Sequence, residues 1–301
     1  MAKVNIVEMG LRDGLQNEAV HLSVLQRFQL LKKIDEAGVR RVELGAFVSP
    51  KWVPQMSDTA KLFKKSLRAQ EQKKLNSQLR LSALVPNLRG LVDADKARVK
   101  EVAVFGAASE TFSQKNINCS IKESLQKFTD VVGEAQKKKI KTRAYLSTIF
   151  ACPYEGKIPL KKVLSLVEKY LELGVYEVSL GDTIGVGSPK QVRALLKGVS
   201  KMASRKKIAL HFHDTRGTAI ANILASLDLG YTTFDTSIGG LGGCPYAPGA
   251  AGNVATEDVV YMLNEMGCST GISLDKLIKT THWMNRQVGR QLPSKLSLAG
   301  Y

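Results

Sequence analysis

Two rhythms alternate along this chain. Short apolar runs rich in Val, Leu and Ile are separated by longer stretches in which apolar residues recur every three or four positions. In 160–171, Leu160, Val163, Leu164, Val167, Tyr170 and Leu171 fall on one helical face. The short runs predict strands near 3–9, 41–47, 79–85, 101–107, 141–148, 176–181, 207–213 and 232–238, with amphipathic helices between them. One phrase keeps returning: "EAGVRRVEL" (36–44), "ELGVYEVSL" (172–180) and "DLGYTTFDT" (228–236) each read as a helix end, a Gly and a strand. The Gly suits the left-handed position that closes a helix, where a Cβ would be strained.

Eight strand-then-helix units without a Gly/Ser/Pro linker predict an α/β fold, the (β/α)8 or TIM barrel. The expected organisation is one domain over 1–301. The barrel would occupy about 1–268, with 269–301 a C-terminal helical extension packed outside it. A doubly wound open sheet is the competing architecture. It needs fewer strands and usually a glycine-rich fingerprint after the first one, which this chain lacks.

In such barrels the reactive side chains leave the C-terminal ends of the strands. Here those ends carry "RDGLQNE" (12–18), Glu43 followed by "AFVSPKWVPQ", "GAASETFSQKNINCS" (106–120), "SLGDTIGVG" with Asp182, "LHFHDT" with His211, His213 and Asp214, and "GGLGGCPYAPGAAGNVATED" (239–258). The opposite connections are short or merely basic. In "HFH" the two imidazoles stand at i and i+2, so a strand points both to one face. Two satisfied core histidines would be the plain alternative; a divalent metal site is the sharper reading. Asp13 is the carboxylate candidate for it, and Asn253 offers an amide oxygen. Two imidazoles with two oxygens suit Mg²⁺ or Mn²⁺ better than a closed zinc site, with Zn²⁺ and Co²⁺ left open by ligand type.

Arg12 beside Asp13 reads either as half of a surface ion pair or as a fixed cation for developing negative charge. Glu43 and Asp182 face the mouth in this arrangement and are candidates to orient Arg12 or a metal ligand. Glu8 lies just behind with the same candidate role. Cys244, among glycines and prolines, reads as a thiol on a mobile flap. Cys119 is its rival, and Cys152 and Cys268 have plainer surroundings.

Composition bounds the rest. The chain has 301 residues, 44% hydrophobic, and four scattered cysteines without a CxxC pair, which reads as reduced thiols. The start "MAKVNIVEMG" shows no secretory or organelle leader, no apolar run is long enough to span a membrane, and "SLAGY" is no peroxisomal address, so a cytoplasmic protein without membrane partners is expected. A net charge of +17 attracts polyanions, but no nucleic-acid-binding motif accompanies it and aromatics are only 6%. An inert barrel that binds nucleic acid would show steep salt dependence and indifference to metal. No nucleic-acid partner is expected; the charge steers a small anionic ligand.

With these stretches assembled, the chain resembles the hydroxymethylglutaryl-CoA lyases nearly end to end. The resemblance rests on "RDGLQNE", "FVSPKWVPQM" (47–56), "NINCS" (116–120), "LGDTIGVG" (180–187), "HFHDT" and "GLGGCPYAPGAAGNVATEDVVYML" (240–263). The isopropylmalate and homocitrate synthases are similar in the metal site alone, and a condensing synthase would need a second acyl pocket or an added regulatory domain. The resemblance implies Asp13, His211, His213 and Asn253 as metal ligands, Arg12 as the cation that meets the acyl-CoA substrate and steadies its enolate, and Cys244 as the flap thiol in proton transfer. His211, Asp13 and Asp182 remain alternatives for taking the first proton. It also implies retro-Claisen cleavage of 3-hydroxy-3-methylglutaryl-CoA, a place in leucine and ketone-body catabolism, and a homodimer. Leu11, Ala19, Ala46, Phe212 and Ala251 stand where the family mostly has Pro, Lys, Ser, Cys and Ser. Ala46 and Ala19 border the acyl surroundings, so a different 3-hydroxyacyl-CoA is the alternative substrate.

Overall fold

The computed structural model describes residues 3–243 and 252–300. Every predicted strand forms within two residues of its expected bounds. They are β1 (Asn5–Glu8), β2 (Arg41–Ala46), β3 (Arg80–Leu84), β4 (Glu101–Ala107), β5 (Lys141–Ser147), β6 (Glu177–Asp182), β7 (Ile208–Phe212) and β8 (Thr233–Thr236). All pair in parallel and close in the order β1-β8-β7-β6-β5-β4-β3-β2. The barrel reading therefore holds, and the open sheet is excluded by the β1–β8 closure.

Around it run α1 (Val24–Glu36), α2 (Thr59–Glu71), α3 (Leu88–Lys96), α4 (Glu110–Ile117), α5 (Ile121–Lys137), α6 (Leu160–Glu172), α7 (Pro189–Val199), α8 (Ala219–Leu227) and α9 (Thr256–Glu265). Local chemistry starts several of them: Ser23, Ser120 and Ser188 cap α1, α5 and α7, with Gln26, Glu123 and Gln191 bonding back to the cap. The repeated glycines Gly38, Gly174 and Gly230 take φ of +103°, +83° and +80°, the left-handed closure that their sequence context predicts. A small antiparallel hairpin, Ala151–Cys152 with Gly156–Lys157, follows β5 and was not foreseen. Beyond the barrel, α10 (Leu274–Val288) buries Leu277, Ile278 and Met284 beside α1 and α9. The short α11 (Lys295–Leu298) is pinned by Asp258, which accepts from Ser294 Oγ and the Lys295 and Leu296 N–H groups. No described helix is long and apolar enough to cross a membrane.

The barrel interior is unusual in being partly ionic. Arg143 donates to Glu177 and, through both terminal nitrogens, to Asp235, while Arg41 and Arg80 bond Glu177 and Glu101. Arg143 and Arg41 inside, with the exposed Arg80 at the rim, meet three carboxylates, so each buried charge has a partner and the high cost of an isolated one is avoided. This layer supports the mouth above it.

Candidate active site

The chain builds its mouth from the first strand onward. After β1, Gly10–Gly14 form one wide helical turn in which the Gly14 N–H donates to Met9 O at 3.1 Å. Such i→i+5 turns are rare and concentrate at functional sites. This one turns Arg12 inward, 5% exposed, where its Nε donates to Glu43 Oε2 and its Nη1 to Asp13 Oδ1. Glu43 is held in turn by the Tyr145 hydroxyl, which donates to Oε1 at 2.9 Å, and the Tyr145 ring lies 5.5 Å from the Arg12 guanidinium. A register shift at Glu43/Gly45 ends the regular run of β2 there. Gly45 is required beside it, because a Cβ would fall 2.6 Å from Thr59 Oγ1. Arg12 is thus a fixed cation, and Glu43 and Asp13 reinforce its charge against the effect of burial.

His211 and His213 share a face as their spacing predicts, with ring centroids 5.2 Å apart. One donor atom from each of Asp13, His211 and His213 lies within 4.8 Å of the others. Asn253 joins them: its Nδ2 donates to Asp13 Oδ2 at 2.8 Å, and its backbone forms a bridge with that of His213. Burial works against the Asp13 charge, but Arg12, His211, His213 and the Asn253 amide outweigh it and hold the carboxyl well below the usual carboxylate range. Burial and the neighbouring His211 push His213 down to about 4, so it is a neutral imidazole at physiological pH. Two polar atoms here are orphaned. Among the described residues, neither His213 Nδ1 nor Asn253 Oδ1 has a hydrogen-bond partner, although both are buried. A neutral imidazole, an ionised carboxylate and a spare amide oxygen are a donor set that fits a divalent cation.

Asp182 is buried at the end of β6, but its carboxylate accepts from the Val186 and Gly187 N–H groups and so shapes its own loop. Burial raises its pKa above the ordinary carboxylate value, with the two N–H groups opposing. Of the two acids expected to orient Arg12, Glu43 makes the contact. Cys244 lies outside the described residues. The described ends of its loop are tied together, the Gly252 N–H donating to Gly242 O at 3.0 Å. Gly242 has φ +104°, and a Cβ there would sit 2.8 Å from Asn253 Nδ2. The rival Cys119 is buried at the start of α5, and Cys152 accepts from Ser109 Oγ.

Glu8 departs from its expected role. It touches neither Arg12 nor a metal-ligand candidate. Its Oε1 accepts from the Gly10 and Ile238 N–H groups and its Oε2 from Thr256 Oγ1, tying the Arg12 turn to the root of the Cys244 loop and to α9. Burial pushes its pKa up to about 7, against those three hydrogen bonds. A raised folded-state pKa gives stability that is full below the ordinary value near 4.5 and is lost as pH rises through about 7. Glu8→Gln removes that dependence, since the amide oxygen keeps the N–H contacts. In urea melts of EDTA-treated protein, wild type should therefore lose about 2–3 kcal/mol relative to Glu8→Gln between pH 5 and pH 8. A gap between the two that does not change with pH would show that Glu8 is ionised throughout.

A closed parallel barrel with a carboxylate, two imidazoles and an amide converging at its mouth, beside a buried arginine, places the chain in the class of α/β barrels whose mouth carries a donor set that fits a divalent cation. The comparisons narrow it. Residues 3–284 match the HMGL-like family model. The chain is 45% identical over 293 residues to the hydroxymethylglutaryl-CoA lyase YngG of Bacillus subtilis, covering 97% of this chain and 96% of that one. It is 45% identical over 297 residues to the 3-hydroxy-3-isohexenylglutaryl-CoA/hydroxy-methylglutaryl-CoA lyase of Pseudomonas aeruginosa, covering 99% and 97%. A crystal structure of the Bacillus subtilis HMG-CoA lyase superposes with a TM-score of 0.94 at 44% identity, over 99% of this chain and 98% of that one. The chain belongs to the HMGL-like family.

The sequence reading missed Tyr145, Arg143 and Asp235. Their signal was present in "TRAYL" and "TFDTS": Arg143 and Tyr145 stand at alternate positions of one strand and Asp235 in the middle of another, all three buried and joined by hydrogen bonds inside the barrel.

Proposed function

We propose that this chain is a divalent-metal-dependent carbon–carbon lyase that cleaves 3-hydroxy-3-methylglutaryl-CoA to acetyl-CoA and acetoacetate. The observation that carries this is the convergence of Arg12, Asp13, His211, His213 and Asn253 in one mouth. The chain is also 45% identical to relatives named for that thioester.

Asp13, His211, His213 and Asn253 would hold the cation, with Mg²⁺ or Mn²⁺ suited to the oxygen-bearing set. When bound, it supplies Lewis-acid polarisation of the substrate oxygens. The protein's own groups account for the rest. Three side chains are candidates to accept the C3 hydroxyl proton. Of the two carboxylates Asp13 is the weaker base, because its neighbours hold its pKa low whereas burial raises that of Asp182; His211 is the third candidate. With the proton gone, the C3–oxygen pair forms the ketone of acetoacetate and the C2–C3 bond breaks. Its electron pair moves onto the thioester as the acetyl-CoA enolate. Arg12 is held rigid by Glu43 and offers preorganised positive charge to that enolate. Cys244 then supplies the proton that C2 requires.

The test is acetyl-CoA release from hydroxymethylglutaryl-CoA by metal-stripped protein, before and after adding Mg²⁺ or Mn²⁺. Cleavage is expected only with metal. Cys244→Ala should lower kcat by about 10²-fold with metal binding intact, the scale of a lost proton donor. Folded protein that releases no acetyl-CoA with either metal would overturn the reading.

A second reading, a bulkier 3-hydroxyacyl-CoA, is favoured by the 45% identical relative from Pseudomonas aeruginosa, which is named for 3-hydroxy-3-isohexenylglutaryl-CoA as well as for hydroxymethylglutaryl-CoA. A higher kcat/KM for a thioester with a longer C3 branch would establish it.

A further inference from the structure

The geometry points to Asp235 as a positioning residue that fixes His211 in one orientation and one tautomer, Nδ1–H toward Asp235 and Nε2 toward Asp13. The inference rests on the reading of His211 as a ligand, and it is independent of which thioester is cleaved.

Asp235 lies on β8 and His211 on β7, and the two are paired in register, so both side chains enter the barrel at the same level. Asp235 Oδ2 is 3.5 Å from His211 Nδ1, while His211 Nε2 is 3.9 Å from Asp13 Oδ2. One ring nitrogen thus faces a carboxylate that is buried below the mouth, and the other faces the candidate ligand cluster. A carboxylate that accepts at Nδ1 leaves the Nε2 lone pair free for the cluster, and such outer partners set the orientation and basicity of ligating imidazoles.

Asp235 is itself immobilised. Arg143 Nη2 donates to Oδ1 at 2.7 Å, Arg143 Nη1 to Oδ2 at 3.1 Å and Ser179 Oγ to Oδ2 at 2.7 Å. Arg143 Nη1 also donates to the Tyr145 hydroxyl at 3.1 Å, and Tyr145 donates to the Glu43 carboxylate that holds Arg12. The contacts close a ring: Arg12, Glu43, Tyr145, Arg143, Asp235, His211, Asp13 and back to Arg12. Asp235 is 1% exposed and so has no access to bulk substrate, which makes its action one of positioning.

Two measurements test this. The chain has four histidines, so long-range ¹H–¹⁵N correlations of histidine-labelled, metal-free wild type resolve each tautomer, with His211 assigned from His211→Gln. His211 is expected as Nδ1–H, and an Nε2–H tautomer overturns the inference whether or not any variant folds. In Asp235→Asn, the Mn²⁺ dissociation constant measured by electron paramagnetic resonance should rise by about 10–100-fold. Part of the lost activity should return at saturating Mn²⁺. A folded Asp235→Asn with a wild-type Mn²⁺ constant also overturns it. Wild type that binds no Mn²⁺ at all, with His211 still Nδ1–H, would instead overturn the metal reading and leave the tautomer assignment standing.

Discussion

Asp13→Asn protein should fold as wild type does, fail to take up Mn²⁺ at millimolar concentration, and cleave substrate about 10³–10⁴-fold more slowly, the several kcal/mol that a catalytic cation contributes. The size follows from what Asp13 is. It is the sole anion of the proposed ligand set, and Arg12, His211, His213 and Asn253 keep it ionised in spite of burial. Asparagine has the same shape, and its oxygen still accepts from Asn253 Nδ2. What it removes is the charge. Arg12 keeps Glu43 as a partner, so the buried guanidinium is not abandoned and the melting temperature should move little. The checks are a Mn²⁺ titration, a thermal melt and acetyl-CoA release on one preparation. An Asp13→Asn variant that keeps wild-type metal affinity would remove Asp13 from the ligand set.

The architecture was readable because the units repeat the same physics, an amphipathic helix, a left-handed closure and a short apolar strand. Gly38, Gly174 and Gly230 make three of those closures, while Lys73, Arg98 and Lys139 take positive φ at others and carry no Gly to announce them. Arg12, Asp13, His211 and His213 were readable because chemistry placed at strand ends interrupts that rhythm. Asn253 drew attention only by company, and its spare Oδ1 needed coordinates to be seen. Glu8 was misjudged because its acceptors are satisfied from Ile238 and Thr256, and no local pattern announces partners that far along the chain. Asp235, Arg143 and Tyr145 went unread for a related reason. They sit in mid-strand, where inward polar residues look like exceptions to the core until a closed barrel brings β2, β5, β7 and β8 around them. The roles of Glu43 and Asp182 could not be separated from sequence, since both are acids at strand ends. The structure separates them by what each carboxylate accepts: a guanidinium for Glu43, loop N–H groups for Asp182.

Arg12→Gln should lower kcat by about 10³-fold, the upper range for removing one preorganised donor aimed at developing charge. Metal affinity should stay within a few-fold of wild type, and this separates its role from that of Asp13. The guanidinium works in two directions, Nε to Glu43 and Nη1 to Asp13, and a rigid fork does this where a point charge does not. Arg12→Lys therefore restores the charge but cannot make both contacts at once, and should recover about a tenth of the lost rate. Stability moves too, because Glu43 is fully buried and, among the described residues, without Arg12 keeps only the Tyr145 hydroxyl as a hydrogen-bond donor. An uncompensated buried carboxylate either costs several kcal/mol or takes up a proton. Arg12→Gln should thus melt lower than wild type, and adding Glu43→Gln should recover much of the melting temperature without recovering kcat. That non-recovery is the decisive observation: a double variant that regains stability and rate together would make Arg12 a structural cation, whereas stability without rate leaves charge delivered to the enolate as what the enzyme has lost.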